Sequence, residues 1–346
     1  MRFKIILFLL TLPVLSLFAQ NEKIMHNNNF YDDTETIPLK GGGIEIAGEV
    51  ENPGKVDLNS LTKHSVIVKE ALLKEDGKNV FMGAYRYDGY SLFDILTDRI
   101  VNKKNKAEFP SIIDLYVEIE NDKGEMVVVS WGEIFYPSNL HKIILATDVS
   151  RIVPSKTKDL WPLPAERKLV IASDLITERN ISNPVRITVR SYSKSIPVNR
   201  GIDTLYSREI TLISNKGQQL TISEIPEGIQ QETENTVFYG RGRGIHSTQP
   251  FTGIYLKELF AKFGNENAED LKTGLCAIIG IDGYRSVFTF SEIINRNDQS
   301  EVMLVPCKKE EKDGGKFRLF AGADFFSDRA VKAISGIEFF YSDELK

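Results

Sequence analysis

The sequence predicts a duplicated chain, two tandem domains of short strand pairs and short capped helices. Three observations predict it. The stretch 169–187 (LVIASDLITERNISNPVRI) recurs without a gap as 319–337 (LFAGADFFSDRAVKAISGI), 150 residues on (319 − 169 = 150). Asp174 falls on Asp324, Glu178 on Asp328 and Arg179 on Arg329. Alternating apolar runs meet at tight-turn residues, the signal of hairpins. Each hairpin then ends in a helix start, Ser130-Trp131-Gly132-Glu133-Ile134 and Thr289-Phe290-Ser291-Glu292-Ile293.

The elements follow in chain order. A chain of 346 residues suits two domains, and 42% hydrophobic with 10% aromatic residues suits packed cores. The net charge of −5 is mild, and no block of Lys and Arg points to nucleic acid. Residues 1–19 read as a secretory signal peptide: Arg2 and Lys4, an apolar run over 5–18, then small Ala19 before Gln20. The run is shorter than the roughly 20 residues a membrane span needs, so no membrane span is expected. No Cys follows it to carry a lipid anchor. Residues 20–40 are polar and read as a flexible leader.

The first domain, 41–192, opens at Gly41-Gly42-Gly43. Residues 44–50 alternate like a strand, Asn52-Pro53-Gly54 turns the chain, and 56–61 holds a short helical turn. In 87–100 (YDGYSLFDILTDRI), Ser91 and Asp94 cap a helix whose apolar face is Leu92, Ile95, Leu96 and Ile100. Its counterpart in 251–263 carries Leu256, Leu259, Phe260 and Phe263, with Gly253 matching Gly89 (253 − 89 = 164). Hairpins are expected over 115–129 and 276–290, the second turning at Asp282-Gly283, and helices start at Ser130 and Thr289. Glu133 and Glu292 stand 159 apart (292 − 133 = 159), so loop lengths vary while the order persists. A repeat this long means duplicated domains rather than a solenoid. Residues 193–207 read as the linker and 208–346 as the second domain.

These motifs carry a resemblance. Residues 48–61 (GEVENPGKVDLNSL), 281–293 (IDGYRSVFTFSEI) and 318–339 (RLFAGADFFSDRAVKAISGIEF) resemble the molybdopterin-binding domain of the sulfite oxidase family. The resemblance implies an α+β fold, here two tandem sulfite-oxidase-like domains with antiparallel sheets and short helices. It also implies a molybdenum held by a pterin dithiolene and one Cys upstream of the aromatic-x-Gly-x-x-Leu element. That region is 79–86 in the first half and 236–241 in the second, and neither contains Cys. Molybdopterin is thus implied by resemblance only, and no cofactor is the expectation.

Candidate sites were weighed against plain structural roles. In 240–246 (GRGRGIH), Arg241, Arg243 and His246 offer donors suited to an anion, and by resemblance the loop corresponds to an anionic pterin pocket. The alternative is a flexible loop with solvated arginines. Its glycines match neither a P-loop nor a dinucleotide fingerprint. Asp174 with Arg179, and Asp324 with Arg329, resemble acid–base pairs. Their recurrence favours a structural turn and tethering ion pair, needed once per domain. Cys276 and Cys307 form either a disulfide or two buried thiols. His26, His64, His141 and His246 show no metal-ligand spacing, so no metal is expected. Trp131 and Trp161 belong in the core or between the halves, where 160–164 could form a cover.

The functional expectation is an exported, periplasmic or extracellular, non-catalytic module binding a small anionic ligand or a protein partner. The alternative is a molybdopterin-dependent oxidoreductase with atypical metal ligation; a third is a hydrolase with an unseen site.

Overall fold

The computed structural model describes residues 35–199, 201–264, 266–307 and 314–342. The expected signal peptide and residues 20–34 of the expected leader lie outside the described residues. The first half contains β1 (Ile37–Pro38), β2 (Glu45–Gly48), β3 (Gly54–Lys55), β4 (Lys63–Leu73), β5 (Asn79–Ser91), α1 (Leu92–Thr97), β6 (Leu115–Asn121), β7 (Met126–Ser130), α2 (Trp131–Phe135), β8 (Ile143–Arg151), β9 (Lys168–Ile171) and β10 (Pro184–Ser191). The second contains β11 (Ile210–Ile213), β12 (Gln219–Ile222), β13 (Glu232–Glu234), β14 (Phe238–Gly240), β15 (Gly244–Ser247), β16 (Phe251–Tyr255), α3 (Leu256–Phe260), α4 (Ala268–Thr273), β17 (Gly274–Gly280), β18 (Arg285–Thr289), α5 (Phe290–Ile294), β19 (Val302–Pro306), β20 (Phe317–Ala321) and β21 (Ile334–Tyr341).

The α+β sulfite-oxidase-like fold class is not what forms. The chain is mostly β, 43% strand against 12% helix, in small, largely antiparallel sheets arranged like four propeller blades. The helix starts are real, but each helix stops early. Ser91, Ser130 and Thr289 cap α1, α2 and α5, yet α1 runs six residues and α2 and α5 five each. Capping is a local signal; a helix this short survives only by packing its apolar face, so its length is set by tertiary contacts. The strands take the rest: β4 and β5 run 11 and 13 residues.

The same strand order appears twice. One sheet of the first half runs β4-β5-β8, with β9 and β1 on the far side of β8; its counterpart runs β13-β16-β19-β20. The other runs β3-β2-β10-β6-β7, and its counterpart β12-β11-β21-β17-β18. In each of these sheets the last strand of the half pairs parallel with the sheet's own first strand in chain order, β10 with β2 and β21 with β11. Gly89 and Gly253 explain the shared aromatic-x-Gly motif. A Cβ at Gly89 would sit 2.1 Å from the Leu145 carbonyl oxygen, and one at Gly253 would sit 2.2 Å from that of Leu304. Only glycine lets β5 and β16 approach β8 and β19 that closely.

Apolar side chains fill the space between neighbouring blades. Ile46, Leu92, Leu145 and Ile187 lie in the core between the first half's sheets; Leu212, Leu256, Leu304 and Ile337 are their counterparts. Tyr116, Val128, Tyr192, Leu275, Val287 and Phe340 pack the halves against each other. The stiff segment at 160–164 covers the face of the β4-β5-β8 sheet: Trp161 and Leu163 pack there, and Tyr85 donates to the Pro162 carbonyl. Trp131 is buried on α2, stacked on Phe135. No helix among the described residues is long and apolar enough to cross a membrane.

Candidate functional site

The recurring Asp and Arg meet at the centre of the molecule. Arg179 donates to Asp174 through Nε (2.8 Å) and Nη2 (2.6 Å), and to Glu133 through Nη2 (2.7 Å) and Nη1 (3.0 Å). In the other half Arg329 donates to Asp324 (2.8 and 2.6 Å) and to Glu292 (2.8 Å). The halves then cross over. Ser130 Oγ donates to Glu292 (2.6 Å) and accepts from Arg329 (3.2 Å); Thr289 Oγ1 donates to Glu133 (2.9 Å) and accepts from Arg179 (3.2 Å). Each hydroxyl also caps its own helix, accepting from the backbone N–H of Glu133 or Glu292. The capping boxes at these two helix starts are thus half of a larger device: each box's hydroxyl is bonded to the other half's glutamate.

Burial and charge divide these carboxyls. Burial would raise Glu133, but the Arg179 guanidinium outweighs it and holds the group below its usual range. Glu292 is raised by burial, further aided by the Glu133 charge. The difference has a geometric cause: Glu133 receives two guanidinium bonds and Glu292 one. Burial also pushes Asp174 up to about 6 despite Arg179. The Asp174–Arg179 and Asp324–Arg329 pairs are therefore spent on internal bonds at the centre of the fold.

The halves differ most where the second opens a cleft. In the first half β4 and β5 form a long ladder, and its tip clamps the closing turn: Thr177 Oγ1 accepts from the Ala71 N–H and Glu178 from the Leu73 N–H. In the second, β13 and β16 are short, and the chain between them makes its own hairpin, β14–β15. This hairpin clamps its turn differently, with Arg241 paired to Asp328 at 3.3 Å. Beside it lies a cleft of about 460 Å³, lined by residues 234–239, 320–322 and 324–327. Phe238, Tyr239, Phe325 and Phe326 give it an aromatic wall, with Tyr239 and Phe325 ring centres 5.8 Å apart. Glu234 and Glu301 supply carboxylates, while Asp324 at the cleft's edge is held by Arg329 through both oxygens. Glu234 accepts from the Tyr255 hydroxyl, and Lys257 donates to Glu301 Oε1 at 3.0 Å. Glu301 Oε2 is buried with no hydrogen-bond partner among the described residues.

Arg241, Arg243 and His246 lie on the exposed β14–β15 hairpin, outside the residues that line the cleft. His246 lies against Gly240, and its ring is 5.5 Å from Phe238. Cys276 and Cys307 do not bond to each other; burial pushes the Cys276 thiol up. Sequence reasoning missed the cleft and also a meeting of His64, Asp94 and His141 on the first half. Those three come from β4, α1 and the segment before β8, with no periodic spacing to reveal them.

The residues do not fit a molybdopterin. Residues 79–84 of the first half are spent in the β4–β5 ladder. Residues 236–239 of the second line the cleft with a hydroxyl, hydrocarbon and aromatic rings, with no thiolate for the metal. No family model matches the chain, and no curated protein matches it.

Proposed function

We propose that the protein is an exported, non-catalytic binding module whose small ligand sits in the second half's cleft. One observation carries this reading: the framework is kept twice, while the cleft arises where the second copy departs from the first. About 460 Å³ lies within the range of small-molecule sites. The lining selects the ligand class. Aromatic faces accept apolar or cationic surface, and the carboxylates of Glu234 and Glu301 favour donors over anions. The ligand is therefore neutral or cationic, and Arg241 serves as the clamp on Asp328. Export rests on the character of residues 1–19.

Mass spectrometry of small molecules retained by natively purified protein tests the proposal. Retention should fall at least about tenfold in Tyr239→Ala/Phe325→Ala, the loss expected for anchors in a desolvated pocket. Arg241→Ala/Arg243→Ala should retain the ligand. The opposite pattern would restore the anionic reading at the hairpin. Stoichiometric molybdenum with an extractable pterin would replace both with the oxidoreductase.

A further inference from the structure

We propose that His64, Asp94 and His141 form a binding site for one divalent transition-metal ion of the zinc class. His64 lies on β4, Asp94 in the first turn of α1, and His141 in the segment leading to β8. One ring nitrogen each of His64 and His141 and an Asp94 oxygen all lie within 4.8 Å of one another. His64 Nε2 is 2.8 Å from Asp94 Oδ2, and His141 Nδ1 is 3.8 Å from the same oxygen. Two imidazole nitrogens and one carboxylate oxygen are a three-ligand set that suits zinc and leaves further positions open.

The surroundings support the set. Ser91 Oγ donates to Asp94 Oδ2 at 2.8 Å and lies 3.1 Å from His141 Nδ1, so a buried hydroxyl orients the carboxylate. The edge of Phe93 packs against His141 with ring centres 5.8 Å apart. The three side chains are 22%, 23% and 37% exposed, open enough for an ion to enter. The neighbouring cation Lys63 is paired with Asp148 at 2.5 Å.

The fold does not demand this cluster. In the second half α3 takes the place of α1 with Tyr255 at its N-cap, and it forms without any side-chain cap bond. The two imidazoles lie stacked, 3.8 Å apart and within 7° of parallel. Zinc about 2.0–2.1 Å from each nitrogen requires the rings to turn out of that stack. Rotation about the sp³–sp² bond of histidine is soft, so the turn needs no backbone movement.

Chelator-stripped full-length protein is equilibrated with zinc chloride, and bound zinc is measured per chain; cobalt substitution reports the ligand field by visible absorption. One zinc per chain is expected. His64→Ala and His141→Ala each remove a ligand and should each weaken binding by at least the roughly 10–100-fold that loss of an outer-shell partner costs. His246→Ala should bind as the wild type does. Should an alanine variant unfold, His64→Gln and His141→Gln replace the ligand with an uncharged hydrogen-bonding group, and the same loss is expected. Absence of saturable zinc binding by the wild type below about 0.1 mM overturns the proposal. So does unchanged affinity in folded His64 and His141 variants.

Discussion

Replacing Arg179 with methionine attacks the central network at one end. Arg179 makes four charge-assisted bonds of 2.6–3.0 Å to Asp174 and Glu133, and all three side chains are buried. Arg179→Met keeps an apolar side chain of similar length but leaves two carboxyls without their cation. Breaking a buried pair from one side costs about 3–5 kcal/mol, because the remaining charge stays desolvated. That is a large part of the roughly 5–15 kcal/mol that holds a typical protein folded. With a urea slope near about 3 kcal/mol per molar, the midpoint should fall by about 1–2 M. Trp131, buried on α2 next to the network, reports the transition by fluorescence. Arg179→Lys should fall between the two, keeping the charge but not the fork that spans both acids. The loss should shrink at acid pH, where the orphaned carboxyls can take up protons. A midpoint within about 0.3 M of wild type, or a loss that does not change with pH, would refute the role given to this network.

Two further outcomes follow from the same centre. An unfolded aspartate titrates near about 3.9, whereas folded Asp174 is pushed up to about 6, so between those values the folded chain binds the proton more tightly. Asp174 therefore contributes most below pH of about 4 and loses about 3 kcal/mol as pH rises through 6, so Asp174→Asn should gain that much on wild type between pH 4 and 7; parallel urea titrations with equal slopes would exclude this. Gly132 lies under the opposite guanidinium, where a Cβ would come 2.0 Å from Arg329 Nη1. Gly132→Ala should cost at least about 1–3 kcal/mol by overpacking alone, and a variant as stable as wild type in the same titration would show that Arg329 has room to move.

What was legible in the sequence was local. The Asp282-Gly283 turn, the Ser130 and Thr289 caps and the doubled Asp-x-x-x-acid-Arg stretch each lie within a few residues, and each folds as its chemistry dictates. The fold class was not legible, because a cap at Ser91 starts a helix without saying how far α1 runs. Asp174 and Arg179 read as a tethering pair, and their side chains meet at 2.6 Å. Their further neighbours were invisible: Glu133 lies 46 residues from Arg179 and Thr289 lies 110. The glycines and arginines of 240–246 are the conspicuous local motif of the second half. The cleft lies behind that hairpin, and only the departure of β13–β16 from the β4–β5 pattern opens it. His64 and Asp94 stand 30 residues apart and face each other only because α1 follows directly on β5.

Hydrogen exchange tests the seat of the ligand most directly. Natively purified protein is compared with the same protein stripped of bound small molecules by unfolding and refolding. Slowed exchange in the ligand-bearing protein should concentrate in 234–239 and 321–327, the two walls of the cleft, with little change in the β4–β5 ladder of the first half. Protection confined to the 240–246 hairpin, or to residues 79–86, would contradict the account.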